Sequence, residues 1–174
     1  MKPFKIFVDG DGTLVPFDKN KTLYDIAAPG YFATRTALGN MAEGIELLSH
    51  YAEIFLVSAV LPYEHIIPDK DKCYDAIVPC IPKDHRLYIS YEDTKLQAIQ
   101  RLGFSKSDIF IDDYSHNLSE ISELGLIPVK AMNDINGTHG TWHGASVNVF
   151  ADSLAIADTI LGLHLAAQFH QKGE

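Results

Sequence analysis

Short apolar runs alternate with polar, turn-rich stretches along most of this chain. Phe4, Ile6, Phe7 and Val8 form the first run and lead directly into Asp9 and the turn residues Gly10 and Gly12. A short apolar run bounded by a glycine-rich turn reads as a buried strand, here over residues 4–9. Similar runs predict strands over 54–58, 76–79, 109–112 and 126–130, with a further extended piece over 86–89. Residues 41–51 place Met41, Ile45 and Leu48 on one helical face, and Asn40 can cap that helix. Residues 61–72 are helical in part, restricted by Pro62 and Pro68. A helix over 91–102 carries Leu96, Ile99 and Leu102 and stops at Gly103, and a shorter one over 118–124 stops at Gly125. A largely apolar helix over 151–169 closes the pattern.

Strands alternating with helices predict parallel βαβ units, and so an α/β fold with a central sheet covered by helices on both faces. Two stretches break the alternation. Residues 15–40 are polar and irregular, with room for one short helix over 31–38, and are too short for a domain with its own core. Residues 136–144, NGTHGTWHG, form a glycine-rich loop. We read residues 1–174 as a single domain with a small lid at 15–40.

At 174 residues and 47% hydrophobic content the chain can bury a sizeable core. No apolar run approaches the ~18 residues of a membrane span, and the start lacks the features of a signal peptide. The formal net charge of −9 disfavours nucleic-acid polymers and anionic membranes as partners. Cys73 and Cys80 show no metal-ligand pattern, so free thiols in a reducing, cytoplasmic setting are expected. A homo-oligomer is compatible with this composition.

The candidate chemistry gathers around DGDGTL, residues 9–14. Asp9 ends the first strand, and ligands of open α/β sheets sit at the carboxyl ends of strands. Asp11 follows two residues later, so both carboxylates can serve one site. Neighbouring carboxylates repel unless a cation or shared proton holds them, and hard oxygen donors beside a phosphate suit Mg²⁺. Right-handed crossovers bring Asp9, Ser58 and the pair Asp112–Asp113 to one edge of the sheet.

The run DGDGT resembles the first motif of the haloacid dehalogenase superfamily, Asp-x-Asp-Gly-Thr after a hydrophobic strand. IFLVS, ending in Ser58, is similar to its second motif, and IFIDD, ending in Asp112 and Asp113, to its fourth. The resemblance covers about three-quarters of the chain. It implies a Rossmann-like fold and a Mg²⁺-dependent phosphomonoester hydrolase acting on a small phosphorylated substrate through an aspartyl-phosphate. It implies Asp9 as nucleophile, Asp11 as general acid and then base, and Ser58 as a phosphate ligand. Mg²⁺ would be held by a side-chain oxygen of Asp9, the backbone carbonyl of Asp11 and Asp113, with Asp112 behind or water-bridged. The motif lysine is Lys83 or Lys95. We favour Lys83, in the loop IPKDHR after the predicted strand over 76–79, where a site lysine can reach inward.

Within the superfamily, the short lid, DDYSHN and the loop carrying Trp142 resemble the 5′(3′)-deoxyribonucleotidase branch. That likeness implies Asn117 as a substrate-site residue. Phe17, Tyr31 and Phe32 of the lid are candidates to stack on a base. The same motifs accommodate a sugar-phosphate or protein phosphatase, and a non-catalytic module that binds a phosphorylated ligand is the alternative from another class.

Overall fold

The computed structural model describes residues 4–90, 92–135 and 142–171. The chain forms six strands: β1 (Lys5–Val8), β2 (Glu53–Val60), β3 (Arg86–Ser90), β4 (Ile109–Asp112), β5 (Ile127–Met132) and β6 (Ala145–Asn148). They make one sheet in the order β3-β2-β1-β4-β5-β6, every neighbouring pair parallel. The helices are α1 (Leu23–Ile26), α2 (Met41–Leu48), α3 (Ile66–Ile77), α4 (Lys95–Leu102), α5 (Ser115–Glu123) and α6 (Ser153–Gln171). This is the predicted Rossmann-like α/β fold with a parallel central sheet.

Alternate residues of each strand feed two cores, as a sheet covered on both faces requires. Ile6 and Val8 of β1 and Ile109 and Ile111 of β4 join Met41, Ile45 and Leu48 of α2, Tyr74 of α3 and Ile156 and Ile160 of α6. Phe7, Phe55 and Phe110 point the other way, onto Ile99 of α4 and Leu118 and Ile121 of α5. β1 lies between β2 and β4, with Ile6 opposite both Ile54 and Ile109. The chain runs outward from β1 through β2 to β3, then returns to begin the other half at β4. The carboxyl ends of β1 and β4 therefore flank the point where strand order reverses, which is where such sheets open a crevice.

Several elements differ from their sequence reading. Residues 76–79 are not a strand: Ala76 and Ile77 finish α3, and the third strand is the extended piece expected over 86–89, observed as Arg86–Ser90. A four-residue apolar run cannot be told from the end of a buried helix by periodicity. α3 itself begins at Ile66, and Pro68 sits in its first turn, where its missing N–H costs nothing. Asn40 does not cap α2 with its side chain; Nδ2 donates instead to the carbonyl of Ala151 at 2.9 Å, tying α2 to the start of α6. β6 was not foreseen. The helix predicted from residue 91 begins at Lys95, capped by Thr94, and Tyr91 lies outside the described residues. Of the glycine-rich loop, residues 136–141 also lie outside them.

The 15–40 segment holds α1 and one turn of 3-10 helix, Phe32–Thr34, in place of a helix over 31–38. Thr22 and Asp25 form a capping box on α1, yet α1 buries no residue. The contacts that moor the segment to α3 include two short hydrogen bonds. The amide of Gly30 donates to Asp69 Oδ2 at 2.6 Å, and His65 Nε2 lies 2.8 Å from the carbonyl of Ala27. Among the described residues no helix is long and apolar enough to cross a membrane.

Candidate functional site

Asp9 follows the last residue of β1, and its amide still donates to Ile111 of β4 at 2.9 Å. The chain then turns back on itself, with the amides of Leu14 and Val15 donating to the carbonyl of Gly10. Both glycines of the turn are required. A Cβ on Gly10 would overlap the hydroxyl of Tyr74, and one on Gly12 would overlap the carboxylate of Asp113. Gly12 also has φ +92°, which L side chains rarely adopt.

Asp9, Asp112 and Asp113 are all buried, and each presents a carboxylate oxygen within 4.8 Å of the others. Lys95, the first residue of α4, reaches into this group. Its Nζ donates to Asp9 Oδ1 and, at 2.7 Å, to Asp112 Oδ2. Asp112 further accepts from Asn117 Nδ2 at 2.9 Å and from the amide of Tyr114 at 2.7 Å. Asp113 accepts from Asn133 Nδ2 at 3.0 Å, and the same amide group donates to the carbonyl of Gly12 at 2.7 Å. Asn133, which the sequence reading did not single out, thus ties the turn after β1 to the acid after β4.

A second lysine completes the site. Lys70 of α3 is 1% exposed; its Nζ donates to Asp11 Oδ2 and, at 2.8 Å, to Ser58 Oγ. It lies over the ring of Phe32, 4.3 Å from the centroid. Sequence reasoning missed it, although a signal was present. Lys70 falls four residues after Ile66 and three and four before Cys73 and Tyr74, on the apolar face of its helix. A lysine on such a face needs a partner inside the protein.

Burial penalises charge throughout this cluster. It pushes the Asp9 carboxyl up to about 8, against the pull of Lys95 and with the repulsion of Asp112, Asp113 and Asp11 added. Burial also works against the ammonium of Lys95, but Asp112 and Asp9 outweigh it and hold the group charged. The protein alone therefore leaves Asp9 short of positive charge. Three buried carboxylates converging on one point, with only oxygen donors, fit a divalent cation of the Mg²⁺ class.

Lys83 is not brought to the acids. It sits on the surface, 64% exposed, pairing with Asp75 at 3.4 Å and Asp71 at 3.9 Å. It precedes β3 and so lies at the amino edge of the parallel sheet, away from the carboxyl edge that carries the acids. Phe32 is buried, with the ammonium of Lys70 over its ring. Tyr31 has the guanidinium of Arg35 over its ring at 5.0 Å. Phe17 remains 43% exposed. A cavity of about 500 Å³ opens over the cluster, its wall including Asp9, Asp11, Phe17, Lys95, Asp113 and Asn117. Trp142 turns away from it, donating from Nε1 to the carbonyl of Ala145 at 3.0 Å and packing on the core beside α4 and α5. His116 pairs on the surface with Glu120 at 3.4 Å.

No family model and no curated protein matches this sequence. Solved structures do match in fold. D,D-heptose 1,7-bisphosphate phosphatase from B. bronchiseptica, complexed with magnesium and phosphate, superposes with a TM-score of 0.65 at 15% identity, over 93% of this chain and 99% of its own. The enzyme of the same name from Burkholderia thailandensis gives 0.58 at 14% identity, over 87% and 97%. A haloacid dehalogenase-like hydrolase from Burkholderia xenovorans LB400 gives 0.62 at 11% identity, over 92% and 96%. At these identities the likeness shows a shared fold alone.

Proposed function

We propose that this chain is a Mg²⁺-dependent phosphomonoester hydrolase that works through an aspartyl-phosphate on Asp9. The observation that carries the reading is the convergence of three buried carboxylates and Lys95 at the carboxyl ends of β1 and β4. The folded likeness to phosphatases, one of them complexed with magnesium and phosphate, supports it.

Asp9 Oδ attacks phosphorus, and the ester oxygen leaves with a proton from Asp11. Asp11 then takes a proton from the water that hydrolyses the acyl phosphate. Lys70 holds Asp11 and Ser58 in one unit, so the acid, the Ser58 hydroxyl and an ammonium face the same phosphoryl group. Lys95 supplies the second fixed positive charge, between Asp9 and Asp112. Asp9, the carbonyl of Asp11 and Asp113 would hold the metal, with Asp112 steering Lys95 and Asn117. When bound, Mg²⁺ neutralises charge on the phosphoryl oxygens and keeps Asp9 ionised.

For the substrate we favour a nucleoside monophosphate, with a nucleoside as leaving group and Phe17 as the exposed aromatic at the cavity mouth. A sugar phosphate is the second reading, favoured by the heptose bisphosphate phosphatases that share the fold. The test is a panel of nucleoside and sugar monophosphates assayed with Mg²⁺ and with chelator, in wild type and Asp9→Asn. Magnesium-dependent release of phosphate that disappears in Asp9→Asn supports the mechanism; hydrolysis surviving that substitution overturns it.

A further inference from the structure

A second cavity of about 600 Å³ adjoins the one over the acids. Phe17, Lys19 and Ile135 line both, so a ligand held at Asp9 can extend past them without leaving the protein surface. The far wall is built from the lid and includes Tyr31, Thr34 and Arg35.

Its electrostatics differ from the rest of the molecule. On a chain of net charge −9, this wall carries two cations, Lys19 and Arg35, against one acid, Asp18. Asp18 is turned to its own backbone, accepting from the amide of Asn20 at 3.0 Å. Among the described residues neither cation has a carboxylate partner, as is also true of several surface lysines, whereas the two cations at the acids, Lys70 and Lys95, are both paired. Arg35 is partly buried. One arm of its guanidinium donates to the carbonyl of Pro16, and its plane lies 5.0 Å over the ring of Tyr31. It is thus held in position without being neutralised. A partly desolvated guanidinium fixed in this way is costly until an anion meets it, and its fork matches phosphate oxygens.

We propose that this cavity is a subsite for a second phosphate on the leaving group, bound by Arg35 and Lys19. The substrate class is then a bisphosphate, one phosphate over Asp9 and the other under the lid. This rests on the phosphohydrolase reading and puts a bisphosphate, of a nucleoside or a sugar, ahead of the monophosphate favoured there.

The experiment uses two matched series: a hexose monophosphate against its bisphosphate, and a nucleoside 5′-monophosphate against its 3′,5′-bisphosphate. In wild type, kcat/KM for the bisphosphate should exceed that for the monophosphate about tenfold or more in at least one series, the scale of a charge-assisted contact. Arg35→Gln should shrink that ratio about tenfold, Arg35→Lys should restore part of it, and Lys19→Gln should move it in the same direction. Lys19 is exposed, so its variant reports even if Arg35→Gln fails to fold. Calorimetry on Asp9→Asn adds a readout free of turnover: the bisphosphate should bind more tightly than the monophosphate, and lose that margin with Lys19→Gln. Monophosphates hydrolysed as well as bisphosphates in both series would overturn the subsite and leave the phosphatase reading intact. Bisphosphates that bind through Lys19 and Arg35 but are never hydrolysed would support the subsite and overturn the phosphatase reading.

Discussion

Lys70 Nζ and Ser58 Oγ stand 2.8 Å apart, joining the middle of α3 to the carboxyl half of β2. The same ammonium holds Asp11. A single buried cation therefore joins the Asp11 carboxylate to the Ser58 hydroxyl, and under the proposed mechanism it would meet charge that develops on the phosphoryl group. Lys70→Met keeps the stem packed under the site and removes the charge. It should lower kcat about 100-fold or more, on the scale of losing one preorganised donor, while circular dichroism stays native. A kcat within a few-fold of wild type would show that Lys70 only fills space.

Lys95 and Lys83 make a direct contrast. Lys95→Ala leaves Asp9 and Asp112 facing each other without their shared cation, and kcat/KM should fall at least about 100-fold. Lys83→Ala removes exposed ion pairs with Asp71 and Asp75, worth about 1 kcal/mol at most. Its kcat/KM should stay within about twofold, with a small drop in Tm. Reversal of this order would return Lys83 to the site.

The raised pKa of Asp9 gives the metal-free protein a signed pH dependence. The folded form holds this proton up to about 8, and the unfolded form releases it near 3.8. The folded state thus binds more protons between these values, and the contribution of Asp9 to stability is lost as pH rises from about 4 through 8. Mg²⁺ competes with that proton, so the rise in Tm on adding Mg²⁺ should grow across the same window and level off above it. Asp113→Ala should weaken this metal response more than Asp112→Ala. Thermal melts with and without Mg²⁺ at several pH values check both statements; a Mg²⁺ shift independent of pH would remove Asp9 from the metal site.

Phe17 and Phe32 should separate by kind of defect. Phe32 is 6% exposed and packs under Lys70, so Phe32→Ala should cost about 3 kcal/mol of stability, as large core truncations do. Phe17 is 43% exposed at the cavity mouth. Phe17→Ala should leave Tm nearly unchanged and raise KM for an aromatic leaving group about tenfold, in line with the loss of one stacking contact. Urea melts and steady-state kinetics on the same two variants distinguish the outcomes.

The local pattern of the chain determined β1, β2, β4 and β5, the acids and the turn after β1. A run such as Phe4, Ile6, Phe7 and Val8 ending in Asp9, Gly10, Asp11 and Gly12 encodes a strand, its end and two carboxylates within a dozen residues. IFIDD does the same for β4. Topology then requires the ends of parallel strands to share one edge, whatever their spacing in sequence. The cations are different, because a lysine's partner is set by contacts far away in the chain. Reading a strand at 76–79 put Lys83 after a strand and so at the active edge. With the third strand at Arg86–Ser90, Lys83 comes before it, at the opposite edge, and Lys95 comes after it. The placement of one short apolar run thus decides which of the two lysines lies at the edge that carries the acids. Lys70 and Asn133 meet their partners across 59 and 121 residues of chain, at Asp11 and Gly12 respectively. Only the packing of α3 and β5 against the turn after β1 brings those groups together.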